Sequence, residues 1–349
     1  MKIAYISNSI LPSKTANSIH VVKMCQAFKN NNHEIILLAK TKEKNISKEK
    51  VFNYYNITTN QFKMKLFFIK NKYLSLFISF FSFVNFIFKE PYDLIYSRNR
   101  HTSFVLSLLG IKHVYEMHGI PKNQLQFFMD KIILKSNNTI VAITKSLADA
   151  IKNKFHFAKE VIVAHDGADV IDYSLVKDID VKGSYKINLA YIGSFLEGKG
   201  VDIVCEVSKL LPNIGFHIIG GSDEQIDTLK KEYQNENLFF YGYVKYEEVP
   251  SYLKQFDGFF LPNKKKVITA NGENIGDYTS PLKLFEYMST NKPIFLTNLD
   301  VFKEVLDENE GFYFESNNLE TFKDQIEHIF NSDNKIIIKY KEKLQKKYS

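Results

Sequence analysis

Apolar and polar positions along this chain fall into blocks that recur with the spacing of alternating strands and helices. The run Ile3-Ala4-Tyr5-Ile6-Ser7 is short and apolar and a loop with Pro12 follows; amphipathic spacing then predicts a helix over residues 18–29, and residues 33–39 are apolar again. Strand, loop, helix, strand is the opening of a parallel α/β sheet, whose ligands sit at the carboxyl ends of the strands. Further strands are predicted at 93–97, 113–116, 138–144 and 160–164. A polar, patternless stretch at 172–184 reads as a linker, and beyond it the alternation starts afresh. Strands are predicted at 187–192, 215–219, 238–241, 258–261, 293–297 and 311–314, with helices at 200–211, 223–234, 247–255, 281–290 and 319–330. Two consecutive α/β units follow from this, as 349 residues also lead one to expect, since single cores stop growing at about 250–300 residues.

One block breaks the pattern. Residues 63–89 are strongly apolar, and 73–88 carry no charge. Sixteen residues fall short of the roughly 20 that span a bilayer. Two readings are open: a helix buried against the sheet, or an interfacial membrane helix flanked by Lys63, Lys65, Lys70 and Lys72.

Charge sharpens the division. Residues 1–170 hold 24 Lys/Arg against 11 Asp/Glu, a net +13, and the remainder holds 22 against 28, a net −6. The basic half fits either a solvated face or an anionic partner such as a membrane surface, a lipid-linked phosphate or nucleic acid. With 45% hydrophobic and 24% charged residues the composition is that of a globular protein, not a disordered or fibrous one. Cys25 and Cys205 are isolated and the amino terminus lacks a charged-then-apolar signal pattern, so a reducing cytoplasm is expected. His101, His113, His118, His156, His165 and His217 show no metal-ligand spacing, and no metal site is expected.

Ser280-Pro281-Leu282-Lys283 reads as a helix start, with serine capping the first amides and proline at the first helical position. Amides left over, with the helix dipole, suit a phosphate. Lys283 and Glu286 lie three apart on one face, either as a nucleotide clamp or as a surface ion pair. The loop from Gly193 and Ser194 to Lys199 and Gly200 joins a strand to a helix, where backbone amides and a lysine commonly cradle phosphate. It matches neither the dinucleotide fingerprint nor the P-loop. Two phosphate-competent loops in one α/β unit favour a nucleoside diphosphate. In the first half, His118 in Glu116-Met117-His118-Gly119 ends a strand at the ligand edge, and Asn17 and Ser18 are expected to cap the following helix.

These segments resemble the retaining glycosyltransferases of family four. The resemblance runs through the loop 15–20, Asn31-Asn32-His33-Glu34-Ile35, Glu116-Met117-His118-Gly119, Val141-Ala142-Ile143-Thr144, Asp166-Gly167-Ala168-Asp169, the 193–200 loop, Gly220, Tyr241-Gly242, and the block 280–293. It implies the GT-B fold, two facing Rossmann-like domains at 1–172 for the acceptor and 184–330 for the sugar nucleotide, with a helix at 331–349 crossing back to the first. By the same resemblance His118, Lys199 and Glu286 carry catalysis, Lys199 on the diphosphate, Glu286 on the ribose and His118 on the donor sugar. Asn17, Gly193, Ser194, Gly220, Tyr243, Val244, Ser280, Pro281, Leu282 and Lys283 contact the donor, Tyr243 and Val244 through backbone at the base. The implied reaction transfers a sugar from a UDP- or GDP-linked donor to a glycan or lipid-linked acceptor in cell-surface polysaccharide synthesis. It needs no cofactor, metal or nucleic acid, and places the protein in the cytoplasm, peripherally on the membrane's inner face.

The chain departs from the family pattern in two places. Ser194 and Phe195 stand where an arginine often precedes the lysine, and Tyr278 stands eight positions before Glu286 in place of a glutamate, so one cation does the work of two unless Lys283 or Lys264-Lys265-Lys266 compensates. Ala16-Asn17 also replaces adjacent glycines in the early loop. Two rivals remain open, a sugar-nucleotide epimerase acting on the donor alone and a degenerate, non-catalytic partner subunit.

Overall fold

The computed structural model describes residues 1–331 except 170, 269–271, 273, 275, 277, 279, 280 and 309. The helix expected after residue 331 and the cap expected of Ser280 lie outside the described residues. The chain divides into two compact units between His165 and Asp166.

In the first unit the elements are β1 (Lys2–Ile10), α1 (Ala16–Asn30), β2 (Glu34–Thr41), α2 (Lys48–Tyr54), β3 (Lys63–Phe68), α3 (Lys72–Phe77), a π-helical turn (Ile78–Ser82), α4 (Phe83–Ile87), β4 (Leu94–Ser97), α5 (Arg100–Leu108), β5 (Val114–Met117), α6 (Gln124–Lys135), β6 (Thr139–Ala142), α7 (Lys145–Lys154) and β7 (Val161–Val163). The strands form one parallel sheet in the order β3-β2-β1-β4-β5-β6-β7. Successive residues of β1 and β2 feed opposite cores: Ile3, Tyr5, Ile35 and Leu37 on one face, Ala4, Ile6 and Leu38 on the other. Burial on both faces is why these strands read as unbroken apolar runs. Helix starts are fixed by side-chain caps, Thr15, Ser47, Asn71, Asn99, Asn123 and Thr144 each accepting from an amide of the first turn. The cap of α1 is therefore Thr15, and the expected caps Asn17 and Ser18 sit inside the first turn, because the chain already turns helical at Ala16.

The apolar block resolves into two elements. Its first residues form the edge strand β3, and its remainder is one helical segment from Lys72 to Ile87 interrupted by the π turn. That segment is neither wholly buried nor long enough to cross a membrane. Ile78, Phe83, Val84 and Ile87 are buried against the sheet, whereas Tyr73, Phe77, Phe81 and Phe88 are exposed. Among the described residues no helix is long and apolar enough to span a bilayer. In the widened turn Phe83 N bonds back to Ile78 O, five residues earlier, and Thr102 Oγ1 donates to the Ser79 carbonyl at 2.6 Å.

The second unit contains β8 (Asn188–Ile192), α8 (Val201–Leu210), β9 (Gly215–Ile219), α9 (Asp223–Glu232), β10 (Leu238–Gly242), a 3-10 turn (Tyr246–Glu248), α10 (Val249–Gln255), β11 (Gly258–Leu261), α11 (Leu282–Met288), β12 (Ile294–Thr297), α12 (Asp300–Lys303), β13 (Phe312–Phe314) and α13 (Leu319–Asn331). Its parallel sheet runs β10-β9-β8-β11-β12-β13. Both sheets thus have the doubly wound α/β topology expected from the sequence, with a reversal of strand order beside the first strand where ligands gather. The stretch expected as a linker carries no helix or strand, yet it is seated on the second unit: Tyr173 Oη shares a hydrogen bond of 2.9 Å with Ser289 Oγ, and the Lys182 amide donates to Tyr241 Oη at 2.8 Å.

Candidate functional site

At the carboxyl edge of the second sheet, three adjacent strands end in glycines. Gly193 N donates to Ile219 O at 2.9 Å and Gly220 N to Gly242 O at 2.7 Å, so the backbone there is bare. A Cβ on Gly220 would lie 1.8 Å from Gly193 O, which only glycine avoids. Ser194 follows, exposed, with its carbonyl accepting from Tyr191 Oη at 2.7 Å. The loop then turns through Gly198 and Gly200, both left-handed at φ 85° and 75°. Side chains at these two would strike Lys266 O and Pro262 O, so the loop after β8 lies against the loop after β11. Hydrogen bonds from Lys264 N to Gly198 O at 2.7 Å and from Ile268 N to Glu197 O at 2.9 Å fasten the two.

Lys199 stands between the two left-handed glycines. It is half-buried, and among the described residues its ammonium meets no carboxylate and no hydrogen-bond acceptor. Burial pushes its pKa down, the mark of a cation short of solvation. An anion placed here restores what the ammonium lacks.

Of the other cations near the site two are already committed, while Lys265 and Lys266 are exposed and make no ion pair among the described residues. Lys264 pairs with Asp202 at 2.6 Å, and Lys283 pairs with Glu286 at 2.5 Å. Neither offers an unpaired charge to replace the missing arginine. Helix α11 begins at Leu282 with Pro281 as its cap residue, not as the first helical residue, and Leu284 N bonds back to Pro281 O at 2.8 Å. The ring of Pro281 has φ −83° with ψ 81°, outside the helical region, which moves the start by one residue. Tyr287, fully buried, fixes the helix: its hydroxyl accepts from Ile192 N at 2.9 Å and donates to Ile192 O at 3.1 Å. Glu286, 15% exposed, precedes this anchored tyrosine on the helix. Tyr246 lies close enough that burial first, and then Glu286 and Asp169, raise its phenol pKa. After β10, Tyr243 is exposed while Val244 packs into the core below.

In the first unit His118 is not alone. His118 Nε2 lies 2.8 Å from both Arg98 Nε and Glu116 Oε1, and Arg98 Nε is 3.2 Å from Glu116 Oε1. Tyr96 Oη donates to Glu116 Oε2 at 2.5 Å, and His20 Nε2 is 4.0 Å from Oε1. Glu116 is only 3% exposed. Burial alone would raise its pKa, but Arg98, His118 and the Tyr96 hydroxyl outweigh it and hold the carboxyl down to about 2. The ring of His118 is thus clamped at the carboxyl end of β5 between a guanidinium and a carboxylate. Alongside, Arg100 Nε donates to the buried Asp130 at 2.7 Å and its Nη2 reaches Gly119 O at 3.4 Å, steadying the loop after His118. Asn17, exposed, donates to Ser9 Oγ at 2.7 Å.

Motif reading missed Arg98, Tyr96 and Asp130. A compositional signal was there: the chain has only two arginines among 46 basic residues, and both follow β4 directly. A planar, permanently charged fork is what buried carboxylate pairing requires and lysine cannot copy. Among the described residues no group of three or more His, Cys, Asp or Glu could hold a metal, and Cys25 and Cys205 are buried free thiols.

Comparison with known proteins agrees with this layout. Residues 18–171 match the family model described as Glycosyltransferase Family 4, and 177–347 match Glycosyl transferases group 1. An uncharacterised glycosyltransferase of Methanocaldococcus jannaschii is 26% identical over 201 residues, 49% of this chain and 51% of its own length. An uncharacterised 41.2 kDa protein of the cps region of Klebsiella pneumoniae is 26% identical over 151 residues, 41% of each chain. The chain thus spans about half or less of the curated relatives it matches. Among solved structures, a glycosyltransferase from Rickettsia africae superposes with a TM-score of 0.74 at 14% identity, over 99% of this chain and 92% of the other. The sucrose-phosphate synthase of Thermosynechococcus elongatus gives 0.70 at 14%, over 99% and 94%. Anabaena HepE in complex with UDP gives 0.71 at 12%, over 100% and 96%. With two parallel-sheet α/β units, family models spanning nearly its whole length and structural neighbours of matching architecture, this chain belongs to the family 4, group 1 type of glycosyltransferases and has their GT-B fold.

Proposed function

We propose that this protein transfers a sugar, with retention of configuration, from a nucleoside-diphosphate sugar to a glycan or lipid-linked acceptor in cell-surface polysaccharide synthesis. The observation that carries the reading is Lys199, a half-buried ammonium without a counter-charge between two obligatory glycines at the carboxyl edge of the sheet. A diphosphate is the anion that fits it. Anabaena HepE was crystallised with UDP and with UDP-glucose, which supports a uridine donor here. In this reading Lys199 and the amides at Leu282 and Lys283 take the charge that develops on the leaving diphosphate. Glu286 accepts from the ribose hydroxyls once Lys283 turns to the phosphates, and the bare backbone of Gly193, Ser194 and Gly220 admits the donor. Backbone at Tyr243 and Val244 meets the base. Asn17 and His118 contribute from the first unit, His118 at the donor sugar, its ring oriented by Arg98 and Glu116.

The bond from the anomeric carbon to the diphosphate oxygen breaks as the acceptor oxygen bonds to that carbon on the same face. The acceptor's proton passes to the departing oxygen. Rate enhancement is electrostatic positioning, and the positive charge comes from lysine and amides, so the reading uses no divalent metal. The protein works in the cytoplasm, at the inner membrane face. Lys199→Ala is expected to lower kcat/KM for transfer by about 100- to 1000-fold, the scale for losing one preorganised charge on a leaving group. Undiminished transfer in Lys199→Ala and Glu286→Ala would refute the assignment. A second reading, a non-catalytic partner subunit, rests on Ser194, Phe195 and Tyr278, which stand where the family pattern often has an arginine and a glutamate. It predicts neither donor binding nor donor hydrolysis, which calorimetry with UDP-glucose decides.

A further inference from the structure

The first unit gathers four lysines at one place without a carboxylate. Over the carboxyl ends of β1, β2 and β3 opens a cavity of about 640 Å³ whose lining includes Lys42, Phe68, Lys70, Asn71, Lys72 and Ser75. None of these three lysines has an ion pair or side-chain hydrogen bond among the described residues, and no acidic residue lines the cavity. Directly beneath, Lys40 is 1% exposed and donates to Ser75 Oγ at 2.8 Å, to Ser79 Oγ at 2.7 Å and to Asn8 Oδ1. Some surface lysines of this unit are paired, as Lys2 is with Glu90, Lys50 with Glu43 and Lys63 with Glu34; what sets Lys42, Lys70 and Lys72 apart is that they line one cavity together. Like charges collected without counter-charge repel one another, so folding alone does not favour the cluster. A polyvalent anion would reverse the sign of that interaction.

Two neighbours of the cavity narrow the choice of anion. On one side a second cavity, of about 390 Å³, shares Ile10 and Lys42 with the first, is lined also by Glu43, which Lys50 neutralises, and reaches Asn17. On the other side, beginning at the residue after Lys72, the outer face of the helical segment exposes Tyr73 by 82%, Phe77 by 55%, Phe81 by 60% and Phe88 by 64%. The rings of Phe77 and Phe81 lie 5.3 Å apart, forming a continuous apolar stripe. A wholly water-soluble anion has no use for such a stripe, whereas phosphate beside acyl chain is the chemistry of a lipid headgroup.

We infer that this pocket and stripe seat an anionic lipid, its phosphates among Lys42, Lys70 and Lys72 and its chains along Tyr73, Phe77 and Phe81. The part of the inference that makes this lipid the acceptor, with its transferable end in the second cavity towards Asn17, rests on the glycosyltransferase reading. The lipid site itself does not.

The test is co-sedimentation of the full chain with phosphatidylcholine vesicles with and without phosphatidylglycerol, alongside UDP protection against thermal unfolding. Wild type should bind the anionic vesicles and release in high salt. The Lys42→Ala/Lys70→Ala/Lys72→Ala variant should bind them on the order of 100-fold more weakly, about fivefold for each lysine at a charged membrane surface. Phe77→Ser/Phe81→Ser should lose the part of the binding that survives high salt. Each variant should keep the protection by UDP that wild type shows, which separates loss of the site from loss of the fold. Vesicle binding unchanged in the lysine variant overturns the inference. So does binding of inorganic pyrophosphate at the three lysines with no affinity for vesicles, which would make it a site for free phosphate. Absence of UDP protection in wild type, with lipid binding that depends on these residues, would leave the lipid site standing and remove the donor reading.

Discussion

Replacing Arg98 by methionine removes the guanidinium from a carboxylate that has nowhere to go. Glu116 is 3% exposed and Arg98 4%, with 3.2 Å between Nε and Oε1, so water cannot take the place of the lost charge. Two routes give the magnitude. Holding a carboxyl at about 2 instead of 4.5 corresponds to about 3 kcal/mol at neutral pH. Removing one partner of a buried ion pair costs about 3–5 kcal/mol in general. The pH dependence has a definite sign. In wild type the carboxyl's pKa is depressed, so its contribution is complete above the unfolded value near 4.5 and is lost only as pH falls towards 2. In the variant burial is opposed only by His118 and Tyr96, so the carboxyl takes up its proton at a higher pH than in wild type. Urea unfolding followed by tyrosine circular dichroism should therefore show a loss of about 3–5 kcal/mol at pH 7 that shrinks by pH 4. Arg98→Met/Glu116→Gln should recover part of it, since a neutral amide tolerates the site. A loss under about 1 kcal/mol, or one that does not change with pH, would refute the reasoning, because an exposed pair behaves that way.

Other consequences are as direct. Gly220→Ala forces a Cβ to within 1.8 Å of Gly193 O at φ 125°, and should cost about 3 kcal/mol in thermal unfolding and weaken UDP binding; an unaltered melting curve would contradict the close approach. Tyr287→Phe deletes both hydrogen bonds to Ile192 and should cost about 1–3 kcal/mol while raising KM for the donor more than it lowers kcat, since Glu286 loses its anchor. Burial lowers the Lys40 ammonium to about 8, so wild-type stability should rise as pH climbs from 8 towards 10.5 and the buried charge is relieved. Lys40→Met should lack that rise, which amounts to about 3 kcal/mol, and parallel pH profiles for the two proteins would count against a charged Lys40.

Both sheets were legible because parallel strands covered on two faces leave apolar runs, and because glycine, proline and capping residues mark their ends. Strand β3 was not, for a physical reason: it is an edge, and Lys63 and Lys65 alternate with Met64 and Leu66, so its half-exposed pattern merged with the apolar run after it. The glycine-held Lys199 and the Lys283–Glu286 pair could be read from local spacing, since loop and helix geometry are set within a few residues. The Arg98–Glu116–His118 clamp could not. Arg98 stands 18 and 20 residues before Glu116 and His118 and meets them because β4 pairs with β5 so that Tyr96 faces Val114 and Ser97 faces Tyr115, which puts Arg98 beside Glu116 one step further on. Such adjacency is a property of strand order, which no local pattern encodes.

The segment from Lys72 to Ile87 obeys the usual partition of polar and apolar groups only in part. Ser75 and Ser79 point inward to Lys40 and Asn99, while Phe77 and Phe81 point out to solvent. Its orientation is set by these latches together with the burial of Ile78, Phe83, Val84 and Ile87. An uncharged sequence gives little guidance about which way to roll, and the hydroxyls add to it. A silent-looking Ser79→Ala exchange, invisible from outside, would therefore remove the Ser79 hydroxyl from Lys40 and Asn99 and loosen the hold on the face that carries the aromatic stripe, while Ile78, Phe83, Val84 and Ile87 keep the segment on the sheet.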